Sequence, residues 1–317
     1  MSRHADLVLG IDGGGSHTIA VLAERGRDGQ VVGRGRAGPS NIQSVGEIAA
    51  LNALEEAIAG AFADAQLPMA AVAAAAFGLA GVDHPDSARV IRAWSDRYRA
   101  AQNVSIENDS ILLLAAGTPE GWGLAVVAGT GSIAFARDRN GRLDRSGGWG
   151  YLLGDEGSAY RLALSGLRAL ARAADGSAPA TVLTPKLLSR MELAQPMEVI
   201  DAVYRGSWDR ARIATLAPLV LEAAEGGDAV ALEIVAQQAQ ELAETTVAAA
   251  RKVQLPLVGL PLALTGGPIL NGSRYREQFL TALHSMGLVP DPVTLVQEPV
   301  QGAIRIARDL ANGSEEK

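Results

Sequence analysis

Three glycine-rich turns, each directly after a run of apolar residues, constrain the fold of this chain more than any other feature. The turns occupy residues 10–18, 128–132 and 264–268, and the apolar runs occupy residues 7–9, 124–127 and 260–264. Such runs predict buried strands. Glycine lets the backbone approach a ligand closely, and successive backbone N–H groups in these turns form anion-binding concavities. The pattern therefore predicts strands that end in anion-binding turns.

The first two turns are followed by the same local pattern, which predicts a duplicated unit. After the first come residues 18–23, a turn at Arg27-Asp28-Gly29 and residues 30–33; after the second come residues 133–137, a turn at Arg139-Asn140-Gly141 and residues 142–145. Asp-Gly and Asn-Gly are strong hairpin signals. Either pattern alone could be an ordinary, unrelated β-hairpin. Together they indicate a repeated unit, in which a strand, a glycine turn, a second strand, a tight turn and a third strand follow one another. We expect the two glycine turns to bind one polyphosphate.

Chain length and the order of the later segments predict a two-domain α/β protein. A chain of 317 residues is long for a single core. After the first hairpin, helical and strand patterns alternate, which is typical of the α/β class. We expect one helix over residues 213–224 and a long helix that is capped by Asp228 and ends near Val253. The break at residues 117–121 is the predicted domain boundary, because the second glycine unit starts just after it.

Composition argues against several classes of function. The formal net charge is −7 and no cluster of Lys and Arg is present, which disfavours a nucleic-acid partner. The chain has no cysteine, which excludes disulfides, thiolate zinc sites and iron–sulfur ligation and fits a reducing cytoplasm. We see no signal-peptide pattern, and the longest apolar run, residues 69–76, is far too short to span a membrane. We therefore expect a cytoplasmic protein with no membrane or nucleic-acid partner.

The string GGWGYLLGDEGSAY at residues 147–160 is the most specific motif of the chain. Together with the glycine turns, Ser40-Asn41 and residues 107–109 and 299–303, it resembles the sugar-kinase/Hsp70/actin superfamily, and within it the N-acetylglucosamine kinase branch of the BadF/BadG/BcrA/BcrD ATPase family. The resemblance covers nearly the whole chain. It implies an α/β fold of two RNase H-like (actin-like ATPase) lobes with a cleft between them.

The resemblance also implies a division of the chain. Residues 1–118 would form the N-terminal lobe and residues 119–297 the C-terminal lobe. A closing helix at about residues 298–313 would pack back on the N-terminal lobe. Members of the family often form dimers through the second lobe, so a homodimer is expected.

The resemblance implies ATP and Mg²⁺ as cofactors and assigns residues to them. Neither of the first two glycine turns matches the P-loop pattern, because no Lys-Ser/Thr pair follows the glycines. Asp12 ends the first strand, and the resemblance makes it a carboxylate that holds Mg²⁺ through water; the alternative is an Asx-turn that caps the strand. The residues expected to bind ATP are Gly13, Gly14, Gly15, Ser16 and Thr18 on one side of the phosphates, Gly129, Thr130 and Gly131 on the other, and Gly266 and Gly267 at the adenine or ribose.

The remaining site residues concern the acceptor. The resemblance makes Asp109 a substrate contact and the catalytic base that takes the proton of the attacking hydroxyl, although the local pattern alone favours a helix N-cap. It places Asp155 and Asn41 on sugar hydroxyls, although Asn41 also suits a turn. Ala80 offers no side-chain donor in the segment that passes the acetamido group. We expect a structural role for Trp149.

These assignments predict an ATP-dependent kinase that phosphorylates the 6-hydroxyl of an amino sugar, with N-acetylglucosamine first. A glucosamine kinase of the same branch, an ATPase activator or regulator without sugar transfer, and a non-catalytic sugar-binding protein are the alternatives. The family's activators hold an iron–sulfur cluster on cysteines, which this chain lacks. No Lys or Arg lies within residues 147–160 to receive a carboxylate, so we expect an uncharged or cationic sugar rather than N-acetylmuramic acid.

Overall fold

The computed structural model describes residues 3–26 and 29–313, and the chain forms two compact units. The first unit contains the residues up to Gly121 together with those from Glu298 onward, and the second runs from Trp122 to Gln297. Arg27 and Asp28 of the first predicted tight turn lie outside the described residues. Within the described ranges, each helix is too short or too polar to span a bilayer.

The first unit is built on a five-stranded sheet with the order β3-β2-β1-β4-β5. β2 pairs antiparallel with β1 and β3, whereas β4 pairs parallel with β1 and β5. The elements of this unit are β1 (Leu7–Gly13), β2 (Thr18–Glu24), β3 (Val31–Ala37), α1 (Ile42–Val45), α2 (Glu47–Asp64), β4 (Val72–Leu79), α3 (Pro85–Tyr98), β5 (Ala101–Glu107), α4 (Asp109–Gly117) and α13 (Val300–Gly313).

Helices cover both faces of this sheet, which explains why β1 and β4 are apolar along their length. Successive side chains of a strand point to opposite faces. Leu9 of β1 accordingly enters a core with Leu54 and Phe62 of α2. Its neighbour Val8 enters a second core, which contains Ile304 of α13. This packing fixes the parallel strands β1, β4 and β5, so that their carboxyl ends meet at one edge of the sheet.

The second unit repeats the same sheet with the order β8-β7-β6-β9-β10. β7 pairs antiparallel with β6 and β8, whereas β9 pairs parallel with β6 and β10. The repeat confirms the duplicated hairpin unit and the α/β class. The elements are β6 (Gly123–Ala128), β7 (Ser132–Arg137), β8 (Leu143–Gly147), α5 (Ala159–Ala174), α6 (Leu183–Met191), α7 (Glu198–Tyr204), α8 (Arg210–Ala214), α9 (Ala217–Glu225), α10 (Ala229–Val253), β9 (Val258–Thr265), α11 (Gly267–Asn271), α12 (Ser273–Ser285) and β10 (Val289–Leu295).

Two helical predictions for this unit had different outcomes. The Asp228 cap is confirmed, because its carboxylate accepts a 2.9 Å hydrogen bond from the backbone N–H of Ala231 at the start of α10. The single helix expected over residues 213–224 is wrong. The structure has α8 and α9 there, separated by Thr215 and Leu216, because Pro218 lies in the first turn of a new helix and cannot continue the preceding one.

Candidate active site

The first glycine turn connects β1 to β2 and leaves open space beside its backbone. A 3.0 Å bond from the Gly14 N–H to the His17 carbonyl closes the turn. At Gly13, a Cβ would lie 2.3 Å from the Oγ of Ser40, so packing requires glycine there. A Cβ would meet nothing nearer than 3.8 Å at Gly14 and nothing within 4 Å at Gly15. Neither position has positive φ, so the fold itself does not demand glycine at Gly14 or Gly15.

The hydroxyl groups of this turn differ in their surroundings. Ser16 is exposed. Thr18 is fully buried, and its hydroxyl donates a 2.8 Å bond to the carbonyl of Gly38, so it holds the turn together instead of presenting the hydroxyl to a ligand. The buried Oγ of Ser40 has no hydrogen-bond partner among the described residues.

Asp12 lies at the carboxyl end of β1, where it pairs in register with Gly78 of β4. Burial and, to a lesser extent, the negative charge of Asp109 raise the pKa of the Asp12 carboxyl to about 6. The backbone bond from Gly14 closes the turn after β1. An Asx-turn by Asp12 is therefore not needed to cap the strand.

Asp109 is the first residue of α4, directly after β5. The cap of this helix is Asn108, whose side-chain oxygen accepts a 2.9 Å bond from the Ser110 N–H, so the N-cap interpretation of Asp109 is wrong. Asn108 also donates a 2.5 Å bond to Asp83. Burial raises the pKa of Asp109 to about 6; the backbone N–H of Ser110 opposes this shift, and the charge of Asp83 adds to it.

Asn41 performs the turn role that the sequence allows. Its side-chain oxygen caps α1 by accepting a 3.0 Å bond from the Gln43 N–H. The same side chain lies against Gly81, where a Cβ would be 2.8 Å from the Asn41 oxygen. Gly81 has a φ of +80°, so both the backbone and the packing require glycine. The structure thus brings Asn41 next to the segment that contains Ala80.

The second glycine turn connects β6 to β7 and has the same character. The Gly129 N–H donates a 2.9 Å bond to the Gly131 carbonyl, a Cβ on Gly129 would meet nothing within 4 Å, and Thr130 is exposed. Gly131 instead lies against two charged side chains. A Cβ there would be 2.6 Å from the Nη2 of Arg210 and 2.9 Å from both carboxylate oxygens of Asp155.

Asp155 is buried, being 3% exposed, and has a φ of +63°, an unusual conformation for a non-glycine residue. Its carboxylate accepts a 3.3 Å bond from the Ser132 N–H and a 2.8 Å ion-paired bond from Arg210. Arg210 lies on α8, far along the chain, so no local pattern identifies it. The motif at residues 147–160 contains no Lys or Arg, but the fold brings this cation to it from a distant helix.

The loop that carries Asp155 is anchored through Gly157. The Gly157 N–H donates a 3.0 Å bond to the side chain of Gln238, and its carbonyl accepts a 2.6 Å bond from the hydroxyl of Tyr275, which is fully buried. Gly157 has a φ of +78°, and a Cβ there would be 2.7 Å from the Tyr275 hydroxyl. These bonds hold the backbone two residues after Asp155 and so support its conformation.

Trp149 does not have the structural role that we expected. Its side chain is 68% exposed, and Leu152 and Leu153 are 78% and 79% exposed. The guanidinium of Arg145 lies 5.8 Å from the centre of its ring. An exposed aromatic ring cannot support the loop by packing, so the structural interpretation of Trp149 is wrong.

The third glycine turn follows β9 and borders a pocket within the second unit. Gly266 has a φ of +104°, and a Cβ would be 2.1 Å from the carbonyl of Ala128, so glycine is required there by the fold. At Gly267, a Cβ would meet nothing within 4 Å. Gly267 lines a pocket of about 440 Å³ whose walls are mostly apolar, a character typical of small-molecule sites. Other lining residues are Ala159, Ala214, Pro218, Leu221, Pro268 and Asn271.

The described residues offer Mg²⁺ a carboxylate rather than a complete protein cage. None of their His, Asp and Glu side chains form a group of three or more that could hold a metal. Mg²⁺ commonly keeps several waters and takes one or two carboxylates in addition to substrate phosphates. Asp12 fits this pattern, because a cation would stabilise the ionised carboxylate that burial disfavours.

Comparisons with known proteins agree with this fold. A sequence model of the BadF/BadG/BcrA/BcrD ATPase family matches residues 9–307. The N-acetylmuramic acid/N-acetylglucosamine kinase of Clostridium acetobutylicum is 29% identical over 301 residues, covering 95% of this chain and 98% of that protein. The N-acetyl-D-glucosamine kinase of Dictyostelium discoideum is 33% identical over 277 residues, covering 83% of this chain and 86% of that protein. The solved structure of a candidate N-acetylglucosamine kinase from Chromobacterium violaceum has a TM-score of 0.72 at 27% identity, covering 95% of this chain and 99% of that one.

Proposed function

The chain belongs to the BadF/BadG/BcrA/BcrD ATPase family, and on that premise we propose that it transfers the γ-phosphoryl group of ATP to the 6-hydroxyl of N-acetylglucosamine. It is an ATP-dependent sugar kinase, since its relatives from Clostridium acetobutylicum and Dictyostelium discoideum are named as kinases and match most of its length. N-acetylglucosamine is the sugar that both names share.

The proposal rests on three glycines at positions where neither the backbone conformation nor the packing requires glycine. Gly15, Gly129 and Gly267 have no positive φ, and a Cβ at each would meet nothing within 4 Å. A ligand that approaches the backbone closely would account for glycine at these positions. We assign the turn at Gly13–Ser16 and the turn at Gly129–Gly131 to the phosphates of ATP, and the pocket beside Gly267 to the adenine.

Asp109 is the base in this mechanism. As the bond between the sugar O6 and the γ-phosphorus forms, the O6 proton passes to the Asp109 carboxylate. The bond from the γ-phosphorus to the β–γ bridging oxygen breaks, which yields ADP and the sugar 6-phosphate. A carboxyl with a pKa of about 6 is ionised at pH 7 and is still a better proton acceptor than an ordinary aspartate. Asn41 and Asp155 would orient the sugar, and Mg²⁺ held by Asp12 would neutralise phosphate charge.

N-acetylmuramic acid is a second candidate substrate. Our expectation of an uncharged or cationic sugar rested on the absence of Lys and Arg within residues 147–160, and the 2.8 Å contact between Arg210 and Asp155 supplies a cation that the motif itself lacks. The Clostridium acetobutylicum relative is named for both sugars. Charge at the site therefore does not exclude a sugar that carries a carboxylate.

Sugar-dependent formation of ADP tests the proposal. We expect the highest kcat/KM with N-acetylglucosamine in a panel that also contains glucosamine, N-acetylmuramic acid and glucose. Proton and phosphorus NMR of the product would identify the phosphorylated oxygen. ADP formation that no sugar stimulates would contradict the kinase, and a preference for glucose over all three amino sugars would contradict the substrate class.

The variant Gly129→Ala tests whether the second glycine turn binds phosphate. The added methyl meets open space, so we expect a stability that is unchanged or higher by ~0.4–1 kcal/mol, because the unfolded chain loses freedom. We also expect a higher KM for ATP, because the methyl occupies space assigned to phosphate. Gly226→Ala is a matched control, since its Cβ would find ordinary contacts at 3.4 Å and 3.5 Å. An unchanged KM for ATP in Gly129→Ala would remove this turn from the phosphate site.

A further inference from the structure

Arg210 lies where the second glycine turn meets Asp155. Its Nη2 donates a 2.8 Å bond to the Asp155 carboxylate and would be 2.6 Å from a Cβ on Gly131. Its guanidinium also lies 5.5 Å from the centre of the Tyr151 ring. The side chain is 38% exposed, whereas that of Asp155 is 4% exposed. One edge of the guanidinium is thus fixed by the protein while part of the group remains open to a ligand.

The ion pair leaves the hydrogen-bonding capacity of Arg210 unfilled. A guanidinium has five N–H donors in a planar fork that matches carboxylate and phosphate oxygens. Within the part of the chain that the structure describes, the buried Nε of Arg210 has no hydrogen-bond partner. The existing contacts therefore hold the group in place without saturating it.

The three glycine turns themselves lack positive side chains. No Lys or Arg occurs within residues 10–18, 128–132 or 264–268. Transfer of a phosphoryl group spreads negative charge over its oxygens, and fixed cations near those oxygens contribute strongly to catalysis. Arg210 is a cation that the structure places against one of these turns, at Gly131.

We propose that Arg210 is a catalytic residue that donates hydrogen bonds to the phosphoryl group in transfer, while Asp155 holds its guanidinium in position. This inference rests on the proposed function, because it assigns the turn at Gly129–Gly131 to the phosphates of ATP. The guanidinium stays protonated throughout and takes no part in the proton transfer to Asp109. It would contact the γ-phosphoryl oxygens, which ADP lacks, so its contribution falls on ATP and on the transition state and not on ADP.

The test compares Arg210→Met and Arg210→Lys with the wild type. Arg212→Met is the matched control, because Arg212 lies on the same helix with its guanidinium 4.5 Å from the centre of the Trp208 ring. The measurements are kcat, the sugar KM, and the affinities for ADP and for a non-hydrolysable ATP analogue. For Arg210→Met we expect kcat to fall by ~10²–10³-fold and the analogue to bind at least ~10-fold more weakly while ADP binds as before. Added guanidine should restore part of the activity.

Other results would overturn the proposal. An unchanged ratio of analogue to ADP affinity, with a raised sugar KM, would mean that Arg210 only supports Asp155. A loss confined to N-acetylmuramic acid would assign Arg210 to the sugar carboxylate instead.

Two further outcomes need a separate criterion. Because Arg210→Met removes the ion-pair partner of the buried Asp155, it can fail to fold; Arg210→Lys then decides, and it should lower kcat at least ~10-fold without raising the sugar KM, since a lysine lacks the planar fork. If the wild type phosphorylates no sugar, the proposed function fails, yet the two nucleotide affinities still test the contact of Arg210 with the γ-phosphate.

Discussion

Replacing Asp109 by asparagine should abolish catalysis and at the same time stabilise the folded protein. Asparagine keeps the size of the side chain and removes its charge. If Asp109 takes the proton of the attacking hydroxyl, the loss of this base should lower kcat by ~10²–10⁴-fold. The folded protein, in contrast, should gain stability at neutral pH, because burial disfavours the charged carboxylate.

The size of this gain follows from the raised pKa. The pKa of Asp109 rises from the ordinary 3.8 to about 6 on folding. A difference of about two units corresponds to about 3 kcal/mol, at ~1.4 kcal/mol per unit, and this is the cost of keeping Asp109 ionised in the folded protein at pH 7. Asp109→Asn should recover up to that amount.

The sign of the pH dependence gives a sharper criterion. Between pH 3.8 and about 6 the folded state binds more protons at Asp109 than the unfolded state does, so the stability of the wild type falls as the pH rises through this window. The advantage of Asp109→Asn should therefore be largest at pH 7, about half as large at pH 5, and nearly absent below about pH 3.

Urea unfolding at pH 7 and pH 5, combined with initial rates of ADP formation, measures both effects. Asp86→Asn is the control, because it makes the same chemical change at an exposed position. Asp86 lies on α3 and pairs there with Arg89. This control should keep its activity and change the unfolding free energy by less than ~0.5 kcal/mol. A variant of Asp109 that retains more than about a tenth of the wild-type kcat would refute the base role. A loss of stability at pH 7 would refute the account of its pKa.

Three further changes have expected outcomes. Asp12→Asn should raise the Mg²⁺ concentration needed for half-maximal activity, because it removes the carboxylate that we propose holds the metal; an unchanged Mg²⁺ titration would mean that Asp12 does not hold the metal. Tyr275→Phe should lower the unfolding free energy by ~1–3 kcal/mol, since it leaves the Gly157 carbonyl without its buried donor, and should raise the sugar KM more than the ATP KM. Ala80→Ser adds a hydroxyl to the segment beside Asn41 and should lower the KM for N-acetylglucosamine but not for glucose; equal effects on both sugars would separate Ala80 from the acetamido group.

Local signals in the sequence were sufficient for the parts of the molecule that local chemistry determines. The apolar strands, the turn glycines and the Asp228 cap depend on residues that are near one another in the chain, and the structure has each of them. Position alone did not decide between two roles for Asp109, because an aspartate directly after a strand suits both a helix cap and a base. The structure decides against the cap, because Asn108 accepts the capping bond.

Contacts between residues that are distant in the sequence could not be predicted from local patterns. Gly157 is held by Gln238 and Tyr275, which come from α10 and α12, and only the folded unit brings them together. The prediction for Trp149 failed because an aromatic residue within a specific motif suggests a packed ring, whereas this ring is mostly exposed. The single-helix prediction failed for a local reason, since Pro218 signals a helix start that the periodicity of the apolar residues obscured.

The surroundings of Asp109 and Asp155 differ in a way that supports the separate roles we propose for them, which residue type alone does not. Asp109 lies among other acids, and burial with the charge of Asp83 raises its pKa, which suits a group that must accept a proton and release it again. Asp155 accepts hydrogen bonds from the guanidinium of Arg210 and from the Ser132 N–H, and such bonds fix the direction of its carboxylate. The first environment suits the proposed base, and the second suits the proposed acceptor for sugar hydroxyls, whose direction must be fixed. The aspartate side chain is the same at both positions; the guanidinium beside Asp155 and the burial of Asp109 near another acid are what distinguish them.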